Sequence, residues 1–277
     1  MDQRKFSGTG RHLDFKYTTN KVIAFFSIFV LLAGFVYQLL SGTGSIDSIL
    51  WGIGAGAAVF LTWAIAREFD PDHHWAAFPG VVFMAVGLFL YGLPDFIVLF
   101  WILLASRVLN RTTGLQPKIT DYAILTLLSG WLLWRGLWIP GIITVIVFLL
   151  DGYLNPDSRK QFAFGALNAV MVIIARFLEL FSIVELQWEP RLALWILLVS
   201  LFYIPLIIAS GKIESTGDYT GDQLDPNRVQ LTMLIGLFAG ITIVIINGFP
   251  GLIYTMPVWA AITGISLTYY TRLIRGS

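Results

Sequence analysis

Long apolar runs alternate with short polar clusters along the whole chain. A helix needs roughly 20 apolar residues to cross about 30 Å of hydrocarbon. On that ruler ten candidate spans emerge, near residues 22–40, 49–66, 75–93, 96–109, 122–137, 142–154, 162–184, 192–209, 229–246 and 252–273. The fourth and sixth are short for a full crossing. The runs lack the period-two alternation of barrel strands, and backbone in lipid must satisfy its own hydrogen bonds, so helices are expected throughout. The predicted fold class is all-α: a polytopic membrane helix bundle over 22–273, preceded by a cytosolic segment 1–21. The longest polar loops are 106–121 and 211–228.

Turn chemistry supports this division. Pro94, Pro140, Pro190 and Pro250 each sit where a new run begins, at positions where a helix does not use the missing N–H. Their spacing of 46, 50 and 60 residues reads as a series of hairpins; an internal duplication would give the same spacing, as would two spans plus two loops. Positive charge then sets orientation. With the N-terminus inside, 15 of the 18 lysines and arginines fall in inner segments; Arg135 and Arg191 lie outside and Arg176 within a span. Both termini are therefore expected in the cytoplasm, in a plasma or inner membrane. The run 22–40 follows basic residues as a secretion signal would, but it is long enough to span and no small-residue cleavage site follows it.

Composition narrows the chemistry. Hydrophobic residues make up 57% of the chain and charged residues 13%, a membrane composition. A net charge of +1 gives no field for recruiting nucleic acid. With no cysteine, thiolate nucleophiles, Cys-ligated zinc and iron–sulfur clusters are excluded. Membrane lipids and an anionic small molecule or lipid are the expected partners.

Four polar clusters remain, all assigned to the inner side. The first, Arg67 to His74, offers Glu68, Asp70 and Asp72 as oxygen ligands for a divalent metal such as Mg²⁺, with His73 and His74 as a softer ligand or proton shuttle and His73 as candidate acid or base. The competing reading makes the aspartates the start of the third helix, where negative charge is favoured. The second holds Arg107, Asn110, Arg111 and Lys118 around Gly114, a donor-rich cradle for a phosphate or diphosphate, or plain positive-inside charge. A third group contains Asp151, Asp157, Arg159 and Lys160, with Asp157 a further metal candidate and Arg159 a further anion contact; the fourth is Asp218, Asp222 and Asp225. Within the spans, Arg176 and Glu179 are spaced to pair on one helical face. Gly52 and Gly56 read as a small-residue packing surface, not a nucleotide loop.

Acidic groups at Asp70, Asp72, Asp151 and Asp157, with a basic loop at Arg111 to Lys118, resemble the inner-face arrangement of the intramembrane prenyltransferases. That resemblance covers about half the chain, and the Asn-x3-Asp-x3-Asp spacing of that family is absent. It implies Mg²⁺-diphosphate held by the acidic groups and gripped by the basic loop. A secondary transporter built from helical hairpins, with Arg176 and Glu179 at an outer gate, and a non-catalytic membrane subunit are the alternatives.

Overall fold

The computed structural model describes residues 6–155, 158–181 and 189–275. Among them the secondary structure is helical, with no named strand. The order is α1 (Thr18–Leu40), α2 (Ser45–Phe69), α3 (Ala77–Tyr91), α4 (Phe96–Asn110), α5 (Ile119–Trp134), α6 (Ile139–Tyr153), α7 (Lys160–Phe177), α8 (Pro190–Ala209), α9 (Pro226–Tyr254) and α10 (Met256–Arg275). Each expected apolar run coincides with one helix. Five regions are long and apolar enough to cross a membrane: α1, α2, α7, α9, and α8 with the short turn after it. Helices α3 to α6 have 15 or 16 residues, about 22–24 Å at 1.5 Å per residue.

Small residues let the helices approach closely. A Cβ on Gly52 would lie 2.7 Å from the Leu31 carbonyl oxygen, and one on Gly56 2.8 Å from that of Ser27, so α2 meets α1 backbone to backbone. The expected glycine surface is therefore an α1–α2 contact. Helices α3 and α10 cross in the same way, with Gly80 against Ala260 and Gly264 against Gly80.

The apolar core runs through α2, α4, α6, α9 and α10. Helix α4 lies at its centre, packed on α2, α5, α6 and α9. Trp101 of α4 is fully buried and donates its indole N–H to Thr144 Oγ1 of α6 at 2.8 Å. A polar handle that is matched inside the core costs little and fixes the helix register.

Two boundaries depart from expectation. The turn placed at 248–251 lies inside α9, where Gly248 takes φ 62°, ψ −141° and breaks the helical geometry; only glycine adopts such angles readily. Helix α7 ends at Phe177, seven residues short of the expected end. Glu179 therefore lies beyond the helix, at φ 54°, and no Arg176–Glu179 ion pair forms. Glu185 lies outside the described residues.

Candidate functional site

The ends of α2, α4, α6, α8 and α10 meet the beginnings of α5, α7 and α9 at one end of the bundle, through contacts such as Glu68 with Arg107, Asp151 with Tyr122 and Arg228, Gln230 with Ile207, Lys160 with Pro117 and Arg272 with Asp70. That places the four polar clusters on one rim. Two fully buried carboxylates organise it.

Glu68, in the last turn of α2, accepts from Arg107 Nε at 3.1 Å, Arg11 Nη1 at 3.4 Å and Thr112 Oγ1 at 2.8 Å. Asn110 donates to the Glu68 backbone oxygen at 2.8 Å. Asp151, in the last turn of α6, accepts from Arg111 at 2.7 Å, Arg228 at 2.8 Å and the Tyr122 hydroxyl at 2.7 Å. A buried charge persists only when paired and hydrogen-bonded, and both carboxylates meet that condition. The expected Arg107–Arg111 cradle is thus split. Arg111 is the C-cap of α4, in left-handed geometry at φ 55°, ψ 42°, which sends it to a different carboxylate from Arg107 one turn earlier.

The N-terminal segment is stitched across the rim. Asp121 accepts from Ser7 Oγ, Thr9 Oγ1, Gly8 N and Lys118 N, at 2.5 to 2.9 Å. Gly8 is required there, since a Cβ would collide with the Gln116 carbonyl. Arg11 also pairs with Asp218 at 2.6 Å. Burial alone would lower the Arg11 pKa; Glu68 and Asp218 offset it and the pKa is raised. Backbone bonds from Asp218 and Tyr219 to Thr112 and Thr113 join loop 213–225 to the end of α4. This loop, expected to be a lid or a solvated connector, is anchored, with an isolated bridge between Thr216 and Gln223.

The predicted acidic site comes out differently. Asp70 and His73 do meet, Oδ1 to Nδ1 at 2.8 Å. The other Asp70 oxygen is buried without a hydrogen-bond partner, with Arg272 Nη2 at 3.9 Å. Asp72 instead accepts the backbone N–H groups of Glu214 and Ser215. Asp70 caps the end of α2 and Ala76 precedes α3, so the aspartates do not start the third helix either. Among the described residues no three metal-ligating side chains gather. Asp70 is thus tied to a histidine and Asp72 to backbone amides of the 213–225 loop. Asp157 lies outside the described residues. Lys118 precedes α5 as its N-cap, and Arg159 is an exposed N-cap of α7.

A cavity of about 1250 Å³ opens beside Glu68. Its lining is ordered along the helices. Phe60 and Phe100 lie deep; Ala64 and Leu104 come one turn nearer the rim; Arg67 and Arg107 follow. From α5, Ile124 and Leu128 extend the apolar wall. Helix α1 packs on α2 and α5 on α4, so the apolar wall lies in the groove flanked by α1 and α5. Phe100 and Ile124 are about half exposed in it.

Arg67 is 7% exposed and donates from Nη1 to the Asp70 and Pro71 backbone oxygens, at 3.1 and 2.9 Å. Among the described residues it has no carboxylate within 4 Å. Its charge is felt nearby: the His74 pKa lies below its ordinary value through burial, then through repulsion from Arg67 and Arg11. Of the five residues expected to hold an anion, Arg107 lines the cavity; Asn110, Arg111, Lys118 and Arg159 do not, nor do Asp70, Asp72 and His73.

Arg11 and Arg67 were not among the expected site residues, and Glu68 was expected only as one carboxylate of the 67–74 metal cluster. The usable signal for Arg67 and Glu68 was position: both continue the run of α2 with no polar residue between them and its apolar stretch. Arg11 carried no such signal, because its partners are 57 and 207 residues away. Searches of protein-family models, curated proteins and solved structures gave no match to the chain.

Proposed function

We propose that this is a polytopic membrane protein of ten spans, its rim and both termini facing the cytoplasm of a plasma or inner membrane, and that the rim cavity binds an amphiphile with a phosphate-type anionic head group. One observation carries the reading: a single cavity joins an apolar wall to a buried arginine that, among the described residues, has no carboxylate within 4 Å. Arg67 seats the anion and Arg107 and Arg11 exchange part of their bonding from Glu68 to it, since guanidinium groups suit phosphate oxygens. The tail lies along Phe60, Phe100, Leu104 and Leu128, and enters sideways between α1 and α5. A second cavity, of about 710 Å³ near Trp138 and Asn247, shares no lining residue with the first, which favours a one-sided site over a through path.

The test is retention of phosphatidic acid or phosphatidylglycerol over diacylglycerol of the same chains, by the full chain in detergent, read by native mass spectrometry. Arg67→Gln is expected to weaken phospholipid retention about tenfold or more, with Arg67→Lys restoring part of it. Equal retention of diacylglycerol would end the proposal.

A further inference from the structure

The distribution of charge in this cavity carries more than a preference for anions. In it Glu68 and Asp218 engage Arg11 and Arg107, whereas Arg67 has no carboxylate within 4 Å among the described residues. Asp121 also lines it, but four donors already occupy its oxygens.

Two further carboxylates lie at the exposed side. Asp14 and Glu214 line the same cavity, both are exposed, and among the described residues neither has a cation within 4 Å. Asp14 accepts one bond, from the backbone N–H of Lys16 at 2.9 Å. Glu214 is held in place through its own N–H, which donates to Asp72. Along the cavity a ligand therefore meets an apolar wall, then a belt of arginines with Arg67 unmatched by a carboxylate, then two exposed carboxylates that have no cation within 4 Å among the described residues.

We infer that the head group is zwitterionic: a phosphodiester seated at Arg67 and bearing a primary ammonium that reaches Asp14 and Glu214. This rests on the amphiphile reading above and names its substrate class. A head group whose only charge is that of its phosphate satisfies the inner belt but brings no cation to the two outer carboxylates. A phosphodiester with a distal ammonium matches both zones, because its own charges follow the same order from the tail outward. A primary ammonium supplies three N–H donors to acceptor-only carboxylates.

The experiment is a competition, at neutral pH, between phosphatidylethanolamine and phosphatidylglycerol of identical acyl chains, with diacylglycerol as the neutral control. The full chain is used in detergent and bound lipid is counted by native mass spectrometry. Phosphatidylethanolamine is expected to win by about three- to tenfold, the scale of two partly exposed ion pairs. The double variant Asp14→Asn, Glu214→Gln is expected to erase that preference while phosphatidylglycerol binding holds or rises. Both substitutions are at exposed positions, and the amide oxygen in Asp14→Asn still accepts from the Lys16 N–H. Phosphatidylglycerol bound as well as or better than phosphatidylethanolamine by the unaltered chain overturns the inference and leaves the phosphate seat standing. A preference that survives the double variant also overturns it. Neither phospholipid retained above diacylglycerol removes the phosphate seat and this inference together.

Discussion

Glu68 and Asp151 are the same device in two settings. Each is a fully buried carboxylate in the last turn of an even-numbered helix, and each accepts from two arginines and one hydroxyl. The arginines differ. Those on Asp151 are 13% and 7% exposed, and Arg228 is further tied to the carbonyls of Leu109 and Leu154. Those on Glu68 are 21% and 22% exposed and line a cavity. An enclosed ion cluster locks α4, α5, α6 and α9 together. One that borders a cavity holds cations in place while leaving them able to exchange partners.

Substitutions at the two carboxylates separate these roles. The largest expected effect is Asp151→Ala, which strands two buried guanidinium groups and lowers stability by about 3–5 kcal/mol. Thermal unfolding in detergent should show a large drop, with lipid preference unchanged in whatever folds; a small drop would deny the locking role. Glu68→Gln should cost less, about 1–3 kcal/mol, because the amide oxygen still accepts. It should also enlarge the rise in unfolding temperature produced by phospholipid, since the added anion now neutralises Arg11 and Arg107. A lipid-induced shift no larger than that of the unaltered chain would place Glu68 with Asp151 as purely structural.

The smallest effect is a titration. Burial and the charges of Arg67 and Arg11 hold the His74 pKa below 6.5. The folded state then favours neutral His74, so this contribution to stability is full above pH 6.5 and is lost as the pH falls through the folded pKa. Arg67→Gln should move the His74 pKa back up toward 6.5 in a histidine NMR titration, and bound phospholipid should move it the same way. An unchanged value would mean that Arg67 does not project its charge into the cavity.

Hydropathy length made the helices legible, since the cost of unsatisfied backbone in lipid leaves few alternatives for runs of this kind. The α1–α2 glycine contact was legible for a similarly local reason: Gly52 and Gly56 lie on one helical face. The end of α7 was not, because Phe177 to Phe181 continues a largely apolar run although the chain leaves the helix at Leu178.

The sequence by itself determined the helical class, the number of apolar runs and the gathering of charge at one end of the bundle, all of which follow from periodicity and from the reversal of successive helices. Tertiary structure decided which charges pair. Arg107 and Arg111 are four residues apart, yet a left-handed residue at the end of α4 sends them to carboxylates on different helices. Arg11 meets Glu68 and Asp218 only because the N-terminal segment is pinned to Asp121, more than a hundred residues on. Pairing between distant charges depends on distance and burial after packing, and no local pattern along the chain encodes either.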